Sequence, residues 1–217
     1  WRCVSLPTVA ARLRPLWFRE SEDMYDVIVV GGGPSGATAA EDLARSGHKV
    51  ALLARAGRIK PCGGAIPPRL VTDFDIPEEQ IVARMTSARM ISPSGRKVDI
   101  PINGGFIGMV DRDRFDSFLR QRAVEAGATL LTGTYRRIER DEKGIRVVYR
   151  DKVCGTERTV AARLVIGADG ARSNVARDEV PGGDTIPYVI AYHEIIKAPE
   201  HTAQYDPTRA DVIYDSR

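Results

Sequence analysis

Short apolar runs broken by glycine-rich or charged pieces alternate along the chain with stretches whose apolar residues recur every three to four positions. This is the pattern of strands and amphipathic helices in succession. Tyr25–Val30 is apolar and β-branched and is closed by Gly31-Gly-Gly-Pro-Ser-Gly36, so it reads as a buried strand entering a tight turn. A helix follows over Ser35–Ser46, with Ala37, Ala40, Leu43 and Ala44 at helical spacing and Gly47 as its stop. Val50–Leu53 is the second strand. Together they make a βαβ unit of about 30 residues, its parallel strands joined by a right-handed crossover.

The same grammar returns downstream. Phe106–Val110 predicts a strand, Arg112–Ala126 a helix with Phe115, Phe118, Leu119 and Ala123 on one face, and Ala128–Leu131 another strand after Gly127. Three short strand-like runs, Arg136–Arg140, Ile145–Arg150 and Thr156–Ala162, then predict an antiparallel meander, and Leu164–Ala168 a short strand ending at Asp169-Gly170. Residues 58–105, rich in Pro and Gly, fit a parallel sheet poorly and are expected to form a loop and part of a second layer on the substrate side. A further strand is expected over Ile186–Lys197. The fold class is therefore α/β: a Rossmann-like parallel sheet with an antiparallel meander and the start of a second β-sheet domain. Its expected segments are an extension (1–23), the first βαβ unit (24–57), the insertion (58–105), the remainder of the nucleotide domain (106–180) and the beginning of a substrate domain (181–217).

Composition narrows the function classes. The net charge of +3 is spread along the chain without a Lys/Arg block, which argues against nucleic acid as a partner. No run approaches the roughly 18 to 20 apolar residues of a membrane-spanning helix. Cys3, Cys62 and Cys154 are far apart and odd in number, fitting a reducing compartment, and no ligand-spaced cluster with His48, His193 or His201 points to a metal. Residues 1–23 carry four arginines before the first acid, Glu20, a composition shared with transit peptides. They read more simply as an extension upstream of Met24.

Three segments carry candidate chemistry. Gly31, Gly33 and Gly36 form G-x-G-x-x-G between a strand and a helix, the context in which that spacing signals a dinucleotide site. Gly31 allows the turn, Gly33 lets the backbone approach a pyrophosphate, and Gly36 lets the helix pack closely. The helix start around Pro34 and Ser35 would face the phosphates with free N–H groups. Asp111-Arg-Asp-Arg-Phe-Asp116 stands at a strand-to-helix junction, where Asp111 or Asp113 can cap and Phe115 can bury. Gly167-Ala-Asp169-Gly170 delivers an acid to a turn, with Ser173 a cap for a short helix near Asn174–Arg177.

In this order, from Met24 onward, these segments resemble the FAD-binding fold of the glutathione-reductase/aromatic-hydroxylase superfamily. The resemblance implies cofactor contacts at Gly31, Gly33, Pro34, Ser35, Gly36, Arg112, Gly167, Asp169 and Gly170. The acid that would hold the adenosine ribose falls at Ala54, followed by Arg55, so the carry-over fails there. More narrowly, Lys60-Pro-Cys-Gly-Gly-Ala-Ile-Pro67, the run from Met85 to Ser94 and Gly104–Asp116 resemble the geranylgeranyl reductases of bacteriochlorophyll and chlorophyll synthesis.

That likeness implies an enzyme with FAD and NADPH acting on a geranylgeranyl-tetrapyrrole or geranylgeranyl diphosphate, in the cytoplasm with peripheral contact to a photosynthetic membrane. In related archaeal lipid reductases the matching cysteine lies by the substrate cavity. This makes Cys62 the candidate catalytic residue, as proton donor or as part of the pocket wall. The chain is about half the length the resemblance implies and lacks the later Gly-Asp-Ala segment, so a fragment without turnover is expected.

Three rival readings remain at this point. Arg55 suits the 2′-phosphate of NADP and hence a pyridine-nucleotide oxidoreductase. The shared glycine and Gly-Ala-Asp-Gly segments fit a flavin-dependent aromatic hydroxylase. The missing acid fits an inactive nucleotide-binding module.

Overall fold

The computed structural model describes residues 24–55, 57, 62–142, 144–199 and 205–215. The extension 1–23, Cys3, His201 and the Lys60-Pro61 start of the cysteine motif lie outside them. In chain order, β1 (Tyr25–Val30), α1 (Pro34–Arg45) and β2 (Val50–Ala54) are followed by β3 (Ala65–Ile66), α2 (Pro68–Asp73), β4 (Ile81–Met85), β5 (Ser87–Ile91), β6 (Lys97–Pro101) and β7 (Ile107–Val110). Then come α3 (Arg112–Glu125), β8 (Thr129–Asp141), β9 (Gly144–Asp151), β10 (Glu157–Gly167), α4 (Asn174–Glu179) and β11 (Arg209–Ile213). The described residues divide into two compact units, those within 1–58 and 118–188 and those within 59–117 and 189–217.

The first unit is built on the expected α/β plan. β1 pairs in parallel with β2 and with β10, and β2 with β8, giving the parallel order β8-β2-β1-β10. β2 is buried along its whole length, as a strand covered on both faces must be. α1 starts from Gly33 in an extended conformation with Pro34 in its first turn, where a missing N–H costs nothing. It ends in a paired closure, Gly47 N–H to Ala44 O at 2.9 Å and His48 N–H to Leu43 O at 3.1 Å, which satisfies carbonyls the helix leaves open.

Two expected strand pairs merge into single strands. Ala128–Leu131 and Arg136–Arg140 belong to the thirteen-residue β8, and Thr156–Ala162 and Leu164–Ala168 to the eleven-residue β10. The reason is that each strand serves two ladders. β8 pairs with β2 over Thr129–Thr132 and with β9 from Gly133 on; β10 pairs with β9 up to Ala162 and with β1 from there to Gly167. The circuit β1-β10-β9-β8-β2 therefore closes on itself. Ile28, Val30, Leu53, Tyr135, Val147 and Tyr149 lead its buried core. Tyr135 also donates its hydroxyl to Asp178 at 2.9 Å, tying α4 to β8, and burial pushes its phenol well above the ordinary range, with Asp178 adding to the shift.

Two charged residues are buried among the described residues, Asp116 and, in the first unit, Glu41. Glu41, on α1, accepts from Arg45 at 2.8 and 3.1 Å and from Arg122 of α3 at 2.8 and 3.2 Å. Its carboxylate thus joins α1 to α3 behind the glycine turn. Glu41→Ala is expected to lower the unfolding free energy by about 1.5–3 kcal/mol, the worth of charge-assisted hydrogen bonds, as read from a denaturant titration.

In the second unit, the segment expected as a loop and part of a second layer contributes β3 to β6 to two small sheets, β3-β7-β4 and β11-β5-β6. In β11-β5-β6 the register aligns Ala210, Ala88 and Ile100, and Val212, Met90 and Val98, so that one face is apolar, while Arg89, Asp99, Arg209 and Asp211 occupy the other. Arg89 and Asp99 pair there at 2.6 and 2.9 Å. The strand expected over Ile186–Lys197 is not formed: the segment takes no regular structure, and Val189, Ile190 and Ile195 are exposed. Apolar alternation alone makes no strand without a neighbouring edge to bond with, and this segment has none among the described residues.

Candidate dinucleotide site

The three fingerprint glycines differ in what excludes a side chain. Gly31 has a φ of 121°, and a methyl group placed on it would lie 2.2 Å from the carbonyl oxygen of Ala168, so the end of β10 closes directly over the turn. A methyl on Gly36 would lie 1.8 Å from Gly31 O, because α1 leans on the end of β1. Gly33 is the exception. Its φ of −80° suits any residue, and a methyl there would meet no atom of the described residues within 4 Å. Neither strain nor packing against the described residues accounts for glycine at this position; it is the N-cap of α1, where glycine is among the favoured residues, and its side of the turn is open.

The neighbouring groups suit an anion. No side chain caps α1 and no acid stands in its first turn, so the helix start at Pro34, Ser35 and Gly36 keeps its positive end. The residues therefore fit a pyrophosphate. At the carboxyl end of β2 they fit the adenosine less well, because Ala54 is buried and offers no acceptor. Arg55, exposed, lines a cleft of 420 Å³ with Thr134, Arg150, Asp151 and Lys152. Asp151 is held below the usual carboxylate range, first by the backbone N–H of Cys154 and then by that of Val153, with Arg158 adding its charge.

Asp169 follows β10 but turns its carboxylate toward its own chain. It accepts from the N–H of Asn174 at 2.7 Å and from the Ser173 hydroxyl, while Ser173 Oγ accepts from Ala176 N–H at 2.9 Å. The pair caps α4; the Ser173 cap follows from the sequence, the share of Asp169 does not. Gly167 packs where a methyl would lie 2.9 Å from Val175 Cγ1, and Gly170 completes the turn.

In the other unit, Arg112 is clamped by Asp116 through two bonds of 2.7 and 3.0 Å, both side chains nearly buried. That carboxylate raises the Arg112 pKa above its ordinary value, and a hydrogen bond with Cys62 adds to the rise. Arg112 and Cys62 are thus brought together. Asp111 caps α3 by accepting from Asp113 N–H at 3.2 Å. In the cysteine motif, Gly64 lies against β7, where a methyl would be 2.0 Å from Val110 O, whereas Cys62 and Gly63 are exposed. Among the described residues no group of three or more His, Cys, Asp or Glu is placed to hold a metal ion, and no helix is long and apolar enough to cross a membrane.

The family described as pyridine nucleotide-disulphide oxidoreductase matches residues 25–204. This chain belongs to that family. Among its relatives, the geranylgeranyl diphosphate reductase of Rhodobacter capsulatus is 66% identical over 193 residues, covering 89% of the chain and 49% of the relative. The chloroplastic geranylgeranyl diphosphate reductase of Oryza sativa is 40% identical over 202 residues, covering 86% of the chain and 42% of the relative. The chain thus spans about half the length of the curated relatives it matches. A geranylgeranyl bacteriochlorophyll reductase-like protein from Thermoplasma acidophilum has the same fold, with a TM-score of 0.70 at 23% identity over 89% of this chain and 51% of that one. The resemblance to geranylgeranyl reductases, drawn from short motifs, extends over most of the sequence.

Proposed function

We propose that this chain is the dinucleotide-binding part of an enzyme that saturates double bonds of a geranylgeranyl chain, carried on a tetrapyrrole or as the free diphosphate, with FAD as cofactor and NADPH as electron donor. The observation that carries the reading is the 66% identity to a geranylgeranyl diphosphate reductase over 89% of the chain. The open side of Gly33 and the uncapped start of α1 support it physically.

An isolated alkene accepts hydride poorly, so a proton must reach one carbon as hydride reaches the other, in a site closed to water. Bound and reduced FAD supplies the hydride. Gly33, Ser35 and Gly36 would hold its pyrophosphate through backbone N–H groups, and Arg55 with the cleft it lines would meet the adenosine. Cys62 Sγ is the proton donor in this reading, with Arg112 holding the sulfur in place. A peripheral position at a membrane follows from the solubility of the substrate.

The test uses this chain joined to the remaining half of the R. capsulatus relative. Oxidation of its reduced flavin by geranylgeranyl diphosphate or by a geranylgeranylated pigment, followed by absorbance, is expected; flavin that stays reduced with both until oxygen is admitted would sink the reading. In the same protein Cys62→Ala is expected to leave FAD affinity unchanged and to slow prenyl-dependent flavin oxidation by about a hundredfold, the lower range for loss of a general acid.

A further inference from the structure

Arg120 lies on α3, far from the glycine turn in sequence, yet its Nη1 donates to the carbonyl oxygen of Gly32 at 2.9 Å, partly buried, across 88 positions of chain. Gly32 leaves no room for a side chain for the same reason: a methyl on it would lie 2.4 Å from Ala54 Cβ and 2.9 Å from Arg120 Cδ. The Gly32 Cα, the Ala54 methyl and the Arg120 methylenes therefore converge on one spot at the carboxyl end of β2. Two consequences follow. The Gly32 carbonyl and the Gly33 N–H belong to one planar trans peptide, so holding the oxygen fixes where the N–H points. And the ionic group at this spot is a guanidinium, where a dinucleotide site of this pattern places an acid.

We propose that Arg120 is a positioning residue of the dinucleotide site: it orients the Gly32–Gly33 peptide for the pyrophosphate and supplies, in place of an acid at position 54, the charge that draws the cofactor to the end of β2. The proposal rests on the FAD reading for its ligand. The orientation of the turn is a property of the chain itself.

Arg120 does not touch reacting atoms, so its loss acts on binding. In the joined protein, Arg120→Met is expected to weaken FAD about tenfold by fluorescence titration, as loss of a charge-assisted contact does. Amide exchange at Gly31 and Ala37, whose N–H groups are held by Leu53 O and Gly33 O at 2.9 Å on either side of the Gly32–Gly33 peptide, should accelerate in the ligand-free protein, while exchange in β8, β9 and β10 stays unchanged. Arg120→Lys, which keeps one donor and the charge, should restore most of both. In the Ala54→Asp background the added carboxylate pairs with Arg120 and cancels its field, so Arg120→Met should then cost about threefold or less.

Unchanged exchange at Gly31 and Ala37 overturns the positioning role, and equal losses of affinity in the two backgrounds overturn the charge role. If methionine at 120 does not fold, Arg120→Gln carries the same measurements. Failure of the unsubstituted protein to bind FAD would instead defeat the cofactor reading, and the exchange result would still decide what Arg120 does to the turn.

Discussion

Replacing Gly33 with valine is expected to leave the folded protein nearly as stable as before and to abolish dinucleotide binding. The first half follows from geometry: the backbone at Gly33 is extended and no atom of the described residues lies within 4 Å of a methyl placed there. Exchanging glycine for an apolar residue at a helix N-cap costs about 1 kcal/mol or less. The second half follows from what the open side is for. A branched side chain would fill the approach of a pyrophosphate to the N–H groups of the turn, and a loss of about 3 kcal/mol or more in binding is over a hundredfold in affinity. Gly36→Val provides the contrast, since its side chain would run into Gly31 O at 1.8 Å from the first carbon, between two buried elements. That variant is expected to fail in folding. Thermal unfolding beside FAD titration separates the two outcomes; a Gly33→Val protein that binds FAD normally would show that the turn does not hold the phosphates.

Ala54→Asp is the change with the largest expected gain. A carboxylate at the end of β2 accepts hydrogen bonds from the adenosine ribose, an interaction of about 1.5–3 kcal/mol, or roughly ten- to 150-fold in affinity. The new carboxylate would stand at the spot where the methyl of Ala54 meets Gly32 and the Arg120 chain, so part of its effect is taken up by pairing with that guanidinium. The expected net result is tighter FAD by about tenfold. Titration of the two proteins under one salt condition measures it, and unchanged affinity would mean that the ribose is held through Arg55 and its cleft instead.

The parts of the fold that were legible in the sequence are those set by local chemistry. β1, α1 and β2 follow from an apolar run, a glycine turn and a helical period over 30 consecutive positions, from Tyr25 to Ala54, and the structure forms them with their ends displaced by one residue at most. Strand membership was less legible because pairing is not local. Nothing in Tyr135 or Leu164 announces that the strand on one side of it continues on the other, and only the shared ladders of β8 and β10 make each a single element. Ile186–Lys197 has the composition of a strand without a partner edge among the described residues. At the site, the glycines were read from spacing alone, whereas Asp169 as a cap for α4 and the reach of Arg120 to Gly32 depend on how the chain returns on itself. A weak signal for Arg120 does exist. Arg112, Asp116 and Arg120 recur every fourth residue along the buried stripe of Phe115, Leu119 and Ala123, and charge at the margin of a buried stripe needs a partner.

Mass spectrometry of the prenyl product decides whether the chain belongs to an enzyme that saturates prenyl double bonds. The chain joined to the remaining half of its R. capsulatus relative is supplied with FAD, NADPH and geranylgeranyl diphosphate, and separately with a geranylgeranylated pigment. A product heavier by one H₂ for each double bond reduced is expected, formed with at least one of the two substrates and lost in Gly33→Val. Consumption of NADPH with both prenyl chains recovered at their starting mass would contradict it.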